Sequence, residues 1–200
     1  MVRDIRVRGK EIIRTFDVFQ SDRGFRVQNM FRWLRLPPRW PYYKLNSDGA
    51  RKRSGLAGAC GLIWDATGRW HGGFCMNIDI CSVTIAELWG LYQGLVLAWQ
   101  MGIRLLVVEI DSLCVTQLLN RNNFNATLPL VNDILHLLSR NWQVSVHHIH
   151  HEANFAVDFM ASHALTLPLG FHHFATPPPG IETWLRNDCL GTAFSRVVKP

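Results

Sequence analysis

The sequence lacks paired cysteines: Cys60, Cys75, Cys81, Cys114 and Cys189 form no CxxC unit and no zinc-like spacing. An odd, scattered set argues against a disulfide scaffold and predicts reduced core thiols in an intracellular protein. No apolar run approaches the roughly 18 residues that span a bilayer, so no membrane helix is expected. The opening MVRDIRVRGK is charged and is not followed by an apolar stretch, so a secretory leader is not expected either. Internal repeats and low-complexity tracts are also missing. These absences leave a soluble intracellular protein, expected to be a monomer without a small-molecule cofactor. Apolar residues are plentiful. With 48% hydrophobic residues and eight tryptophans in 200 residues, one domain with a sizeable core and a modest extension is expected.

Charge is unevenly spread. Residues 1–44 hold eleven Arg or Lys against Asp4, Glu11, Asp17 and Asp22, a net of +7, so the rest of the chain carries −1. A basic arm on a near-neutral body suits a polyphosphate partner, because each neutralised phosphate releases counterions. A solvated leader is the plain alternative.

Pro37, Pro38 and Pro41 mark a boundary, so residues 1–41 are expected to be a basic arm or linker, 42–166 the domain and 167–200 an extension. Within the arm, Met30 to Leu34 suggests a short helical turn. Alternation from Tyr43 to Asp48 reads as a strand, and Leu56–Trp64 and Trp70–Met76 as two more, joined by an Asp65-Ala66-Thr67-Gly68 turn. Thr84-Ile85-Ala86-Glu87 has capping-box spacing before a helix that closes at Gly102. Leu105–Ile110, apolar except for Glu109, reads as a buried strand. A short helix follows from Asp111-Ser112 to Leu119, then a loop at 122–125, a helix over 128–139, a strand over 144–149 and a helix over 154–165. Three antiparallel strands followed by helix-linked ones predict an α/β fold with a mixed five-stranded sheet flanked by helices. The tail, with Pro177-Pro178-Pro179-Gly180, is expected to be extended, packed on the surface or loose.

Four acids stand out, and each has an ordinary reading. Asp48 precedes Gly49 as a turn residue would. Glu87 suits the capping box, Asp111 a helix N-cap, and Asp158 a solvated helix face. Together they read differently. Asp48 and Asp111 end two strands, and Glu87 opens the helix leading into the second of them. If those strands are neighbours, three carboxylates converge at one sheet edge, with Asp158 approaching from the side. Such a cluster repels itself without cations, and its hard oxygens select Mg²⁺ or Mn²⁺. Two ions about 3.5–4 Å apart suit phosphodiester hydrolysis.

The segments Lys44-Leu45-Asn46-Ser47-Asp48-Gly49-Ala50, Ala86-Glu87, Glu109-Ile110-Asp111-Ser112 and Glu152-Ala153-Asn154 with Asp158, in that order, resemble type 1 ribonuclease H. The likeness is greatest to its reverse-transcriptase-like, plant retroelement-derived branch and covers about residues 42–165. The tail from Pro177 to Asp188 and Gly191 is similar to that branch's extension. The resemblance implies a ribonuclease H-like sheet and an acidic tetrad of Asp48, Glu87, Asp111 and Asp158 holding two Mg²⁺ or Mn²⁺ ions. It also implies an Asn154 that contacts substrate and a Gly49 that lets a nucleic-acid backbone come close. The implied substrate is an RNA–DNA hybrid, cleaved on its RNA strand to leave 3′-hydroxyl and 5′-phosphate ends. A nucleic-acid-binding module with little turnover is the alternative, and a related nuclease with another substrate a third.

The chain departs from the family pattern in two places. The family's histidine before the last helix has several candidates here, His147, His148, His150 and His151; a zinc site built from them is a further option. The basic helical protrusion of many relatives is missing, since residues 112–140 carry only Arg121 and Arg140 as cations. Grip on the substrate must then come from elsewhere, with the basic arm as one candidate, or be weak. Trp64, Trp70, Trp89, Trp99 and Trp142 have apolar neighbours that favour core packing over base stacking.

Overall fold

The computed structural model describes residues 13–21, 24–33, 38–120, 128–151, 154–189 and 194–197, with side chains over 38–120, 128–151 and 154–185. Strands β1 (Ile13–Ser21) and β2 (Gly24–Trp33) form an antiparallel hairpin, so Met30–Trp33 is extended and not a helical turn. The alternation Phe25-Arg26-Val27-Gln28 satisfies a strand's period of two once β1 supplies the ladder partner. Leu34 lies outside the described residues.

The main sheet begins with β3 (Tyr43–Arg51), β4 (Leu56–Trp64) and β5 (Trp70–Ile80), an antiparallel meander. The β4–β5 turn forms as expected. Gly68 takes φ +77°, its N–H reaches the Asp65 carbonyl at 3.0 Å, and the Asp65 carboxylate accepts from the Thr67 hydroxyl and amide. Helix α1 (Val83–Gln100) crosses the sheet to β6 (Leu105–Ile110), which pairs parallel to β3. Gly102, at φ +76°, ends the helix. Then come α2 (Leu113–Asn120), α3 (Pro129–Leu138), β7 (Gln143–His148), parallel to β6, and α4 (Phe155–Ala164).

The extension is built into this body. Strand β8 (Gly170–Phe174) adds antiparallel to β5, so the sheet has six strands, ordered β7-β6-β3-β4-β5-β8, where five were expected. Helix α5 (Glu182–Cys189) follows, and β9 (Phe194–Val197) pairs with β2. The sequence of the tail hides this role because β8 holds only five residues and its outer face is solvated. No helix among the described residues is long and apolar enough to cross a membrane.

Alternation along the strands supplies two cores. Leu45, Ile63 and Phe74 pack with Leu88, Leu91 and Leu95 of α1 and with Val131 and Ile134 of α3. On the opposite face, Cys60, Leu62 and Trp64 meet Ala156, Val157, Met160 and Ala161 of α4, together with Ile181. Trp64 and Trp142 are buried, as core packing requires. Cys60 and Cys75 are not reduced thiols here. They are direct partners in the β4–β5 ladder with Cα atoms 4.3 Å apart, and they form a disulfide. Opposed residues of an antiparallel pair share a face, which a sequence separation of 15 does not reveal.

Candidate metal centre

Parallel pairing gathers the acids. In the β3–β6 ladder Ser47 pairs with Ile110 as the last pair, so Asp48, still paired with Cys60 of β4, comes beside Asp111, the first residue past β6. β7 ends beside them, with the Ile149 N–H donating to the Ile110 carbonyl at 2.8 Å. The carboxyl ends of three parallel strands thus share one edge, the usual place for a ligand in such sheets. Helix α1 brings Glu87 to the same point through a close backbone approach. A Cβ on Gly49 would lie 2.4 Å from the Glu87 nitrogen, and one on Gly90 3.0 Å from the Asp48 carbonyl oxygen. The space beside Gly49 is therefore occupied by α1, and this glycine admits the helix that carries Glu87.

Ligand oxygens of Asp48, Glu87 and Asp111 lie within 4.8 Å of one another, the one such group of metal-ligand type found among the described residues. Asp158, half-buried in the first turn of α4, stands outside this tight group, but its charge acts on Asp48.

The ordinary readings of these three acids do not hold. Asp48 lies within β3 and not in a turn. Ser82, not Thr84, caps α1, its hydroxyl accepting from the Ile85 N–H at 3.3 Å, so Glu87 has no capping partner to serve. Ser112, not Asp111, accepts from the Val115 N–H at the start of α2.

The cluster is strained electrostatically. Burial, then the charges of Asp111 and Asp158, push Asp48 up to about 7, against a modest opposing pull from the Gly49 N–H at 2.8 Å. Burial, then Asp48 and Asp111, push Glu87 up to about 9. Carboxyls crowded in this way favour a proton or a cation.

The four histidines point to different partners. His147 Nε2 lies 3.0 Å from the Ser145 hydroxyl, and His148 Nε2 lies 3.1 Å from the Asp111 carbonyl. The His148 and His150 rings meet edge to face. His151 Nδ1 lies 3.0 Å from the Asp111 carboxylate and is the histidine that sequence alone did not single out. Burial opposes a charge on His151, but the Asp111 bond and the charges of Asp158, Asp111 and Asp48 outweigh it and raise its pKa.

Asn154 is fully buried at the N-cap of α4, where it touches the protein's own strands. Its Oδ1 accepts from Asn46 Nδ2 at 3.3 Å, and its Nδ2 donates to the Ser47 carbonyl at 3.3 Å. Asn46 also donates to Glu109 and accepts from Trp64 Nε1, while Lys44 pairs with Glu109 at 2.7 Å. This network was not foreseen from the sequence. Its trace there is the single break at Glu109 in an apolar strand and the polar parity of Lys44, Asn46 and Asp48.

A reverse transcriptase-like family model matches residues 46–164. A protein of Arabidopsis thaliana named "Putative ribonuclease H protein" is 38% identical over 177 residues, covering 87% of this chain and 28% of its own length. The chain thus spans little more than a quarter of that relative. Among solved structures, the N-terminal RNase H domain of a Mycobacterium tuberculosis protein superposes with a TM-score of 0.56 at 23% identity, over 62% of this chain and 94% of that one. RNase H1 of Halobacterium salinarum does so at 0.56 and 22%, over 62% and 98%. A compost-derived RNase H1 in complex with an RNA/DNA hybrid follows at 0.52 and 21%, over 62% and 96%. The chain belongs to the reverse transcriptase-like family, and its main sheet with flanking helices is a ribonuclease H fold.

Proposed function

We propose that this domain is a metal-dependent endonuclease that hydrolyses the RNA strand of RNA–DNA hybrids. The observation that carries the reading is the convergence of Asp48, Glu87 and Asp111 at the carboxyl edge of β3 and β6, three hard-oxygen donors within 4.8 Å. These residues, with Asp158 beside them, would hold two Mg²⁺ or Mn²⁺ ions. Bound there, the ions would supply Lewis acidity to a phosphodiester and lower the pKa of an attacking water. The protein's own part is to hold the carboxylates in place before substrate arrives. The β3–β6 register sets Asp48 against Asp111, the Gly49–α1 approach sets Glu87, and the Asn154 cap sets the helix of Asp158. The hybrid-bound relative shares the fold and supports this substrate class.

The test is cleavage of an end-labelled RNA–DNA hybrid with Mg²⁺ or Mn²⁺, comparing wild type with Asp48→Asn. RNA-strand cleavage that chelator and the substitution both abolish is expected. Hybrid binding without cleavage in either metal would favour a binding module, and cleavage confined to duplex or single-stranded DNA would assign another substrate.

A further inference from the structure

The β3–β4 hairpin overhangs the sheet edge on which the acids lie. β6 stops at Ile110, opposite Ser47, whereas β3 stays paired with β4 as far as Arg51 opposite Ala57. Four further residues of strand project about 13 Å beyond the last parallel pair. The overhang ends in Arg51-Lys52-Arg53-Ser54-Gly55, closed by Gly55 N–H to the Lys52 carbonyl at 3.0 Å and Lys52 N–H to the Leu56 carbonyl at 2.8 Å. All three cations are exposed.

Arg51 is tied down. Its Nε donates to the Cys81 carbonyl at 2.9 Å, joining the hairpin to the residue before the Ser82 cap of α1. Lys52 and Arg53 pair with no acid among the described residues. Three adjacent cations repel one another, and the Ser54-Gly55 turn, with Gly55 at φ +99°, has no need of them. A polyanion lying across the acidic edge would run beside this tip, where closely spaced phosphates would neutralise it.

We propose that the Lys52–Arg53 tip is a phosphate-backbone contact for the nucleic acid engaged at the acidic centre, a few nucleotides from the reacting phosphate. It supplies grip that α2 and α3 do not, because Arg140, the one described cation of residues 112–140, lies over the Trp99 ring at 5.0 Å. This assignment rests on the proposed hybrid substrate.

The experiment is fluorescence anisotropy of a labelled RNA–DNA hybrid between 50 and 300 mM KCl, in an Asp48→Asn background that prevents turnover. Adding Lys52→Ala and Arg53→Ala should weaken binding about tenfold at 100 mM KCl and flatten the log–log salt slope by about 1–2. The swap Lys52→Arg with Arg53→Lys should restore both. Both positions are exposed, so the melting temperature should match that of the parent. If the parent binds and the double alanine variant keeps its affinity and slope, the tip contact is overturned while the hybrid reading stands. If the parent binds no hybrid, the functional reading fails and the tip assignment fails with it.

Discussion

Asn154 and Asn46 join side chain to side chain at 3.3 Å across the buried seam between the start of α4 and β3, two residues before Asp48. The contact links the helix that carries Asp158 to the strand that carries Asp48. Asn154→Ala would strip a partner from the Asn46 amide and a donor from the Ser47 carbonyl at a fully buried position. A loss of about 1–3 kcal/mol is expected in chemical denaturation. A double-mutant cycle with Asn46→Ala should show coupling of about 0.5–3 kcal/mol, and strictly additive losses would refute the link.

Gly49 makes a sharper prediction, because the obstacles to a side chain there are backbone atoms of Ala86 and Glu87. Gly49→Ala must push α1 off β3, at a cost of about 1–3 kcal/mol. Calorimetric titration with Mn²⁺ should show weakened binding, since Glu87 moves away from Asp48 and Asp111. Unchanged affinity would mean that α1 yields elsewhere.

The crowded acids predict how stability follows pH when chelator is present. Their folded pKa values lie above the unfolded ones: Asp48 at about 7 against 3.8, Glu87 at about 9 against 4.5. A carboxyl raised on folding destabilises the fold fully above its folded pKa, and the penalty is relieved as pH falls toward the unfolded value. These two groups should therefore make the metal-free protein gain stability from about pH 9, the folded value of Glu87, down to 3.8, the unfolded value of Asp48. Melting in EDTA at pH 8.5 and 5.5 checks the sign. Mn²⁺ should raise the melting temperature more at pH 8.5, and Asp48→Asn should raise it without metal at that pH. A metal-free melt independent of pH in this window would contradict the burial of the cluster.

Asp65 should behave in the opposite sense. Burial opposes its charge, but the Thr67 hydroxyl, His71 at 2.8 Å and the Thr67 and Arg69 amides outweigh it and hold the pKa below the ordinary value. Its contribution is full above the unfolded pKa of 3.8 and fades as pH falls through the lower folded value. Asp65→Ala should cost about 1–2 kcal/mol at neutral pH, and the gap to wild type should close in acid. Urea denaturation at pH 7 and pH 2.5 would show a constant gap if the hydrogen bonds contribute nothing.

Ile181 tests whether the tail belongs to the body. It is fully buried in the cluster with Val157, Met160 and Ala161 of α4, and Trp184 lies against Phe155 with ring centroids 5.4 Å apart. Ile181→Ala should cost about 2–5 kcal/mol. A loss below about 0.5 kcal/mol, the size of an ordinary surface substitution, would return the tail to the status of a loose extension.

Much of the fold was legible because it is written in local periods. Alternation from Tyr43, the apolar face of α1 and the buried run of β6 give element type and order without reference to any partner. The four acids were legible as candidates because the local periods place them near the ends of those elements, although β3 runs on past Asp48 to Arg51. Their convergence was not. It depends on β3 and β6 being parallel neighbours and on α1 lying close enough to touch Gly49, relations between segments some 40 to 60 positions apart. Dependence on a partner segment, 15 positions away for Cys60–Cys75 and 108 for Asn46–Asn154, likewise hid those two pairings, the choice of His151 among four histidines and the burial of Ile181. Periodicity is a property of one segment, so the sequence determined the elements and their chemistry. Register and close approach are properties of two, so only the tertiary structure decided which acids share a site and which polar groups hold it in place.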